Sequence, residues 1–273
     1  MERIKIWDNN IPLFDENIKN EENKFAGTIT PFLINDNEAK KRSCIIICEG
    51  GSYARHSYTC EEEAKWFNSL GINCFIVNYR VYPYKHPVSL IDVKRAIRYV
   101  RYNAEKFNIN PEKIGIVGFS AGGHLAGSAC LFFDKFEQNI IDEIDKVSAK
   151  PNLAILNYPV VSMCENFRHE NSAKNLCGEE QELFENLSLE KNVIKDIPKM
   201  MIWHTLEDSI VSSKNSISFI TELEKKGAQF EFHLVRKGEH GLKIFEDNKD
   251  AKKILTDEKI DFEVIGQGEK VIN

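Results

Sequence analysis

The 273-residue chain has no apolar run that approaches a membrane span. Its opening segment, MERIKIWDNNIPLF, is broken by charge at Glu2, Arg3, Lys5 and Asp8, so it offers no apolar core for a signal peptide, and a cytoplasmic protein is expected. An excess of positive charge is also missing. The net charge is −6 with acids and bases interleaved, which disfavours nucleic acid or an anionic membrane as partner, since both call for a basic face. There is no Cys-x-x-Cys pair. The cysteines number seven, an odd count, and Cys44, Cys48, Cys74 and Cys130 sit in apolar runs, so they are expected as buried reduced thiols. No internal repeat and no low-complexity segment occurs, which excludes a solenoid or an array.

What is present is alternation. Short apolar, β-branched runs at 43–48, 72–79, 113–118, 153–157, 200–204 and 229–235 read as strands covered on both faces. Segments near 4–7 and 27–34 are expected to form an antiparallel edge. Helical patterns fill the gaps, and strand–helix alternation of this kind argues for parallel βα units. TCEEEAKWFNSLG has Thr59 as N-cap candidate, acids in its first turn, Ala64, Phe67 and Leu70 on one face, and a stop at Gly71. Val93, Ile97 and Val100 recur at helical spacing, and SSKNSISFITELEKKG ends at Gly227, a good C-cap. The stretch 162–198 is polar, with short helices at most, and is expected to be a small cap over one end of the sheet.

KIGIVGFSAGGHL contains Gly118-Phe119-Ser120-Ala121-Gly122, a Gly-x-Ser-x-Gly pentad between an apolar strand and a helix of small residues. A strand-to-helix turn this tight holds the serine strained, so its neighbours two away must be small. It also puts Ser120 at a helix N-terminus, where the dipole favours developing negative charge. A phosphate-binding turn would want Gly-x-Gly-x-x-Gly or a Lys-Ser/Thr ending, and neither is there. A serine hydroxyl is a weak nucleophile, so it needs a base and an acid that orients the base. MMIWHTLEDSIVSS offers Glu207 and Asp208 after one strand, and FHLVRKGEHGL offers His240 after the next. Both lie just past strand C-termini, where open α/β sheets place their sites. Asp208 is preferred because it precedes a short turn into a helix, and adjacent residues project in different directions. His124, four residues after Ser120, is expected to point into packing. His204 is expected as a hydrogen-bonded shoulder of the site. His56, His86, His169 and His233 have no context that marks them as the base.

With those residues in place the chain resembles the α/β-hydrolase superfamily, and within it the acetyl esterase and acetylxylan esterase-like group of xylanase-associated esterases. The resemblance runs over about 7–242. It includes CEGGSY, FIVNYRVYPYKHP, DVKRAIRYVRYNAEKFNINPEKIGIVGFSAGGHLAGS, LNYPVVS, NLCG, LSLEKNV, IPKMMIWHTLEDSIV and KGEHGL, in order and at matching spacing. It implies an α/β-hydrolase fold, a mostly parallel central sheet with helices on both faces and a small irregular cap, as one domain over 1–273. It implies Ser120 as nucleophile, His240 as general acid/base and Asp208 as its orienting partner. The oxyanion hole would be the amides of Ala121 and of Gly50, Gly51 and Ser52, with no metal and no cofactor. Arg80 and Asp92 would be a structural pair. Two departures stand out. The group usually carries Pro-Gly-Gly-Gly-Tyr or a His-containing version where this chain has Glu49-Gly50-Gly51-Ser52-Tyr53, and the tail 247–273 lacks the Trp-containing helix the group tends to end in.

The implied activity is a serine carboxylic ester hydrolase for small acyl, above all acetyl, esters of sugars or xylo-oligosaccharides. Tyr53, Tyr58, Arg55, His56 and His204 are the substrate contacts expected on this reading, because aromatic and polar groups near the loop suit a sugar alcohol. A small peptidase of the prolyl-oligopeptidase kind shares the order of the three residues, but the Gly-Gly loop argues for esters. A non-catalytic binding module would be expected to have lost one of the three.

Overall fold

The computed structural model describes residues 2–8, 11–35, 40–57, 60–136 and 142–241. Eight strands form one sheet: β1 (Ile4–Lys5), β2 (Thr28–Phe32), β3 (Arg42–Cys48), β4 (Asn73–Asn78), β5 (Ile109–Phe119), β6 (Leu153–Asn157), β7 (Lys199–Thr205) and β8 (Phe230–Val235). Their order is β1-β2-β4-β3-β5-β6-β7-β8. β2 runs antiparallel to β1 and β4, and every pairing from β4 to β8 is parallel. This is the α/β-hydrolase fold.

The apolar runs are continuous because each strand feeds two cores. Cys44, Ile46 and Cys48 of β3 join one face, with α2 (Val88–Tyr102), α3 (Ala121–Leu131) and α6 (Lys214–Lys225) packed on it. Ile45 and Ile47 join the other, with Ala64 and Phe67 of α1 (Glu61–Ser69). Side chains alternate across a strand, so a run apolar at every position is what two covered faces require. β8 departs from that expectation. It is the last strand in the sheet order, and it alternates: Phe230 and Phe232 pack on the first core while Glu231 and Leu234 are exposed. β5 also begins earlier than expected, at Ile109, with an irregularity in its pairing to β3 between Arg42 and Cys44.

Helix ends follow local chemistry. Gly71 and Gly227 take φ of +82° and +67° just past α1 and α6, a conformation glycine adopts without steric cost. The N-cap position of α1 is Cys60, in the left-handed region at φ 50°, and makes no capping bond with its side chain; the candidate Thr59 lies outside the described residues. The expected cap 162–198 carries α4 (Glu170–Cys177) and α5 (Gln181–Asn186), and the tail 247–273 lies outside the described residues. Asp92 is fully buried and takes both arms of Arg80, at 2.7 and 2.9 Å, together with the Trp7 indole N–H at 3.2 Å. This is the structural pair expected. All seven cysteines are free, and six are buried, among them Cys177, whose thiol burial pushes up to about 12. Among the described residues, no helix is long and apolar enough to cross a membrane.

Candidate active site

The site gathers at the C-terminal ends of β3, β5, β7 and β8. Ser120 sits between β5 and α3 with φ 54° and ψ −119°, a strained conformation for a residue with a Cβ. The reason for its glycine neighbours is visible as distance. A Cβ on Gly118 would come within 2.1 Å of the Gly122 carbonyl oxygen, and a Cβ on Gly122 within 2.2 Å of the Glu49 carbonyl oxygen. The turn is tied down by the Ser120 amide, which donates to the Asn157 carbonyl at 3.0 Å, and by the Val160 amide, which donates to the Ser120 carbonyl at 3.0 Å.

Ser120 Oγ lies 2.9 Å from His240 Nε2, and His240 Nδ1 lies 2.7 Å from Asp208 Oδ2. The three residues expected from the sequence therefore form one hydrogen-bonded line. Asp208 Oδ1 accepts from the amides of Ile210 and Val211, both at 2.9 Å. Burial alone would raise the Asp208 carboxyl, but hydrogen bonds from His204 and His240, the electrostatic attraction of the His240 ring and the Val211 amide outweigh it and hold the group well below the usual carboxylate range. It is thus anionic at neutral pH and fixes His240 with Nδ1 protonated, leaving Nε2 to accept from serine. Tyr158 packs edge-on against the His240 ring, centroids 5.0 Å apart.

The loop after β3 reaches the same place. A Cβ on Gly50 would stand 3.3 Å from Ser120 Cβ, so the backbone passes directly beside the nucleophile. Gly51, Ser52 and Tyr53 follow with φ of +131°, +59° and +59°. The amides of Ala54, Arg55 and Ser57 turn inward onto the carbonyls of Gly51 and Gly50. Among the described residues no backbone carbonyl accepts from the amides of Gly50, Gly51 or Ser52. Ala121 opens α3, so its amide is one of the four that a helix leaves without an internal acceptor. The cap meets this loop where Asn175 Nδ2 of α4 donates to the Ser52 carbonyl at 2.9 Å.

Of the expected substrate contacts, the structure redirects three. Tyr53 is 1% exposed, and its hydroxyl is engaged by His124 Nδ1 at 2.7 Å, beneath the loop. Its left-handed φ turns the side chain inward, which spacing alone does not reveal. His124 Nε2–H donates to the Leu187 carbonyl at 2.8 Å, and burial pushes its pKa down to about 4, so it stays neutral. That is the packed role expected of it. His204 is fully buried: its Nε2 faces Asp208 Oδ2 at 3.2 Å and the Val211 carbonyl at 2.8 Å, while Nδ1 meets Ser216 Oγ at 2.8 Å. It is a shoulder behind the carboxylate and not a substrate contact. His56 turns its ring to Glu49 and the Tyr79 carbonyl, both at 3.0 Å. Arg55 is exposed, and Tyr58 lies outside the described residues. His169, at the N-cap position of α4, has its pKa lowered chiefly by burial, and its Nδ1 lies 2.8 Å from Ser172 Oγ.

Among the described residues, one group could gather a cation: Cys164, Glu165 and Glu190, with ligand atoms within 4.8 Å of one another. The Lys191 ammonium, 3.3 Å from Glu165, already supplies positive charge there.

An open, mostly parallel sheet with a Gly-x-Ser-x-Gly turn, a histidine and an aspartate at successive strand ends defines a member of the α/β-hydrolase class. More narrowly, the chain matches the BD-FAE family over residues 32–223, most of its length, and belongs to that family. It is 34% identical over 244 residues to endo-1,4-beta-xylanase B of Butyrivibrio fibrisolvens, covering 86% of this chain and 38% of that protein. It is 32% identical over 206 residues to an acetylxylan esterase of Xylanibacter ruminicola, covering 72% and 40%. The chain therefore spans about two fifths of the length of these curated relatives. The solved acetyl ester-xyloside bifunctional hydrolase of Caldicellulosiruptor lactoaceticus is 41% identical, with a TM-score of 0.85 and 92% of each chain covered.

Proposed function

We propose that the protein is a serine carboxylic ester hydrolase that removes small acyl groups, acetyl first among them, from sugars or xylo-oligosaccharides. The observation that carries the reading is the line from Ser120 Oγ through His240 to Asp208, at 2.9 and 2.7 Å. Both distances fall in the range where a base takes a proton in the transition state. Ser120 Oγ attacks the ester carbonyl carbon as His240 Nε2 takes the hydroxyl proton. Asp208 holds the ring and stabilises the imidazolium. The carbonyl oxygen becomes an oxyanion beside the amides of Ala121 and the 50–52 loop, interactions stronger in the transition state than in the ground state. The tetrahedral adduct collapses, the C–O bond to the alcohol breaks, and His240 protonates the leaving oxygen. Water, deprotonated by His240, then attacks the acyl-enzyme, and Ser120 recovers its proton as the acid departs. Every step uses protein groups and water.

The sugar part of the reading is supported by the relatives, two of which are an acetylxylan esterase and an acetyl ester-xyloside hydrolase. The test is hydrolysis of p-nitrophenyl acetate by wild type and Ser120→Ala, followed by acetylated xylo-oligosaccharides against p-nitrophenyl esters of increasing chain length. Turnover by Ser120→Ala near the wild-type rate would overturn the mechanism. A preference for long acyl chains would overturn the substrate class.

A further inference from the structure

We propose that Glu49 and His56 are positioning residues of the oxyanion loop, closing with Tyr79 a ring of contacts that fixes where the loop amides point. The inference rests on the ester-hydrolase reading above. Glu49 is the last residue before the glycines, and His56 follows the turn, so a contact between them spans the loop at its neck. Glu49 is 4% exposed, and its Oε2 stands 3.0 Å from His56 Nδ1. That approach is a close polar contact without hydrogen-bond alignment. His56 Nε2 donates to the Tyr79 carbonyl at 3.0 Å, and the Tyr79 hydroxyl donates back to the Glu49 carbonyl at 2.6 Å. The His56 ring also lies edge-on to Tyr79, centroids 4.8 Å apart. The His56 amide adds a bond to Glu22 at 3.0 Å.

Two features make this more than packing. First, Gly51, Ser52 and Tyr53 all have positive φ, a run that a free chain rarely holds, so the loop depends on its fastenings. Its far side is held by the Tyr82 amide on the Tyr53 carbonyl at 2.7 Å and by Asn175 on Ser52. Its root is held by the ring of contacts through Glu49. Second, the Glu49 carbonyl oxygen is the atom against which Gly122 fits, 2.2 Å from where a Cβ would stand. A shift of Glu49 is thus felt at the serine turn and at Gly50 together. A buried polar contact of this kind adds little net stability, and its value here is a single geometry.

The experiment compares the full chain with Glu49→Ala, His56→Ala, the double variant and Glu49→Gln on p-nitrophenyl acetate. Melting temperature and inhibition by a boronic acid, which forms a tetrahedral adduct on serine, are measured alongside. Each alanine variant is expected to lose about 30-fold in kcat with KM within about threefold, short of the roughly 10²–10³ lost when an oxyanion donor is removed outright. The double variant is expected to match the single ones, because the pair acts as a unit. Boronic acid affinity should fall in step with kcat. Glu49→Gln, whose amide N–H can donate to His56 Nδ1, should stay within about fivefold of wild type. Should the alanine variants not fold, Tyr79→Phe deletes one hydroxyl of the ring, and kcat lower by about fivefold or more at unchanged KM is expected. Wild-type kcat in folded variants, multiplying effects in the double variant, or no rescue by glutamine would overturn the proposal. An active wild type with insensitive variants sinks this inference alone. A wild type that cleaves no ester and leaves Ser120 unlabelled by a fluorophosphonate sinks the ester reading and this inference with it.

Discussion

Adjacent positions in the loop after β3 should respond very unequally to opposite substitutions. Gly51→Ala places a Cβ 1.9 Å from the Arg55 carbonyl oxygen, whereas real Cβ contacts are essentially never under 3.0 Å, so the turn must open by at least about 1 Å. It does so at φ +131°, where a residue with a Cβ is strained by about 1–3 kcal/mol. For a chain of this size about 2 kcal/mol corresponds to a melting temperature lower by roughly 4–8 °C. Opening by that distance moves the amides off the oxyanion, and a misplacement of about 1 Å can cost about 10²-fold. The expected kcat is therefore down by about 10²–10³, or about 3–4 kcal/mol of transition-state stabilisation. Ser52→Gly relieves a left-handed φ of +59°, worth about 1 kcal/mol, against a similar loss from the freer unfolded chain. Its amide survives, and its carbonyl still accepts from Asn175. Stability should stay within about 1 kcal/mol and kcat within about threefold. Steady-state kinetics on p-nitrophenyl acetate, with thermal melts on the same preparations, read both. A Gly51→Ala variant with near wild-type kcat would refute the oxyanion role of this loop, and a several-hundredfold loss in Ser52→Gly would mean that the hydroxyl takes part.

Two further outcomes are expected. Tyr53→Phe leaves His124 Nδ1 in a buried place with only the longer contact to Ser128 Oγ at 3.5 Å, so it should lower stability by about 1 kcal/mol while leaving KM for the ester unchanged; a KM several times higher would return Tyr53 to the substrate. Asp208 has a folded-state pKa below its unfolded value of about 3.9, so its contribution to stability is present above that pH and is lost as pH falls through the folded value. Urea denaturation of wild type and Asp208→Asn should thus show the largest gap at neutral pH and a narrowing one below about pH 4; a gap that widens in acid would contradict the assignment.

The strands were legible in the sequence because β3 to β7 have two covered faces, which leaves short, β-branched, nearly continuous apolar runs between turn signals. β8 has the alternation of a strand with one covered face, and its expected description as doubly covered was the part that failed. The strand ends were legible too, since Ser120, Asp208 and His240 each follow one. What could not be read was the direction of side chains leaving the loops. Tyr53 and His56 sit among positive-φ residues or beyond them, and a reversal of φ sends a side chain under the loop instead of over it. Spacing along the chain carries no trace of that reversal. His204 was readable as a neighbour of the site, but whether it faced substrate or Asp208 depended on a turn at 205–208 that brings positions four apart together. Asn175 meets the loop from the cap, through a contact between distant segments that no local pattern records.

The hydrogen bond between Ser120 and His240 joins residues 120 positions apart. Closing such a contact requires β5, β6, β7 and β8 to be paired in register, and long-range closure is a slow step relative to helix formation. Bond-breaking capacity is therefore a late reporter of assembly in this molecule. In refolding, far-ultraviolet circular dichroism would recover first and turnover last. The lag between them would time the docking of β8, the edge strand that carries His240 just beyond its end.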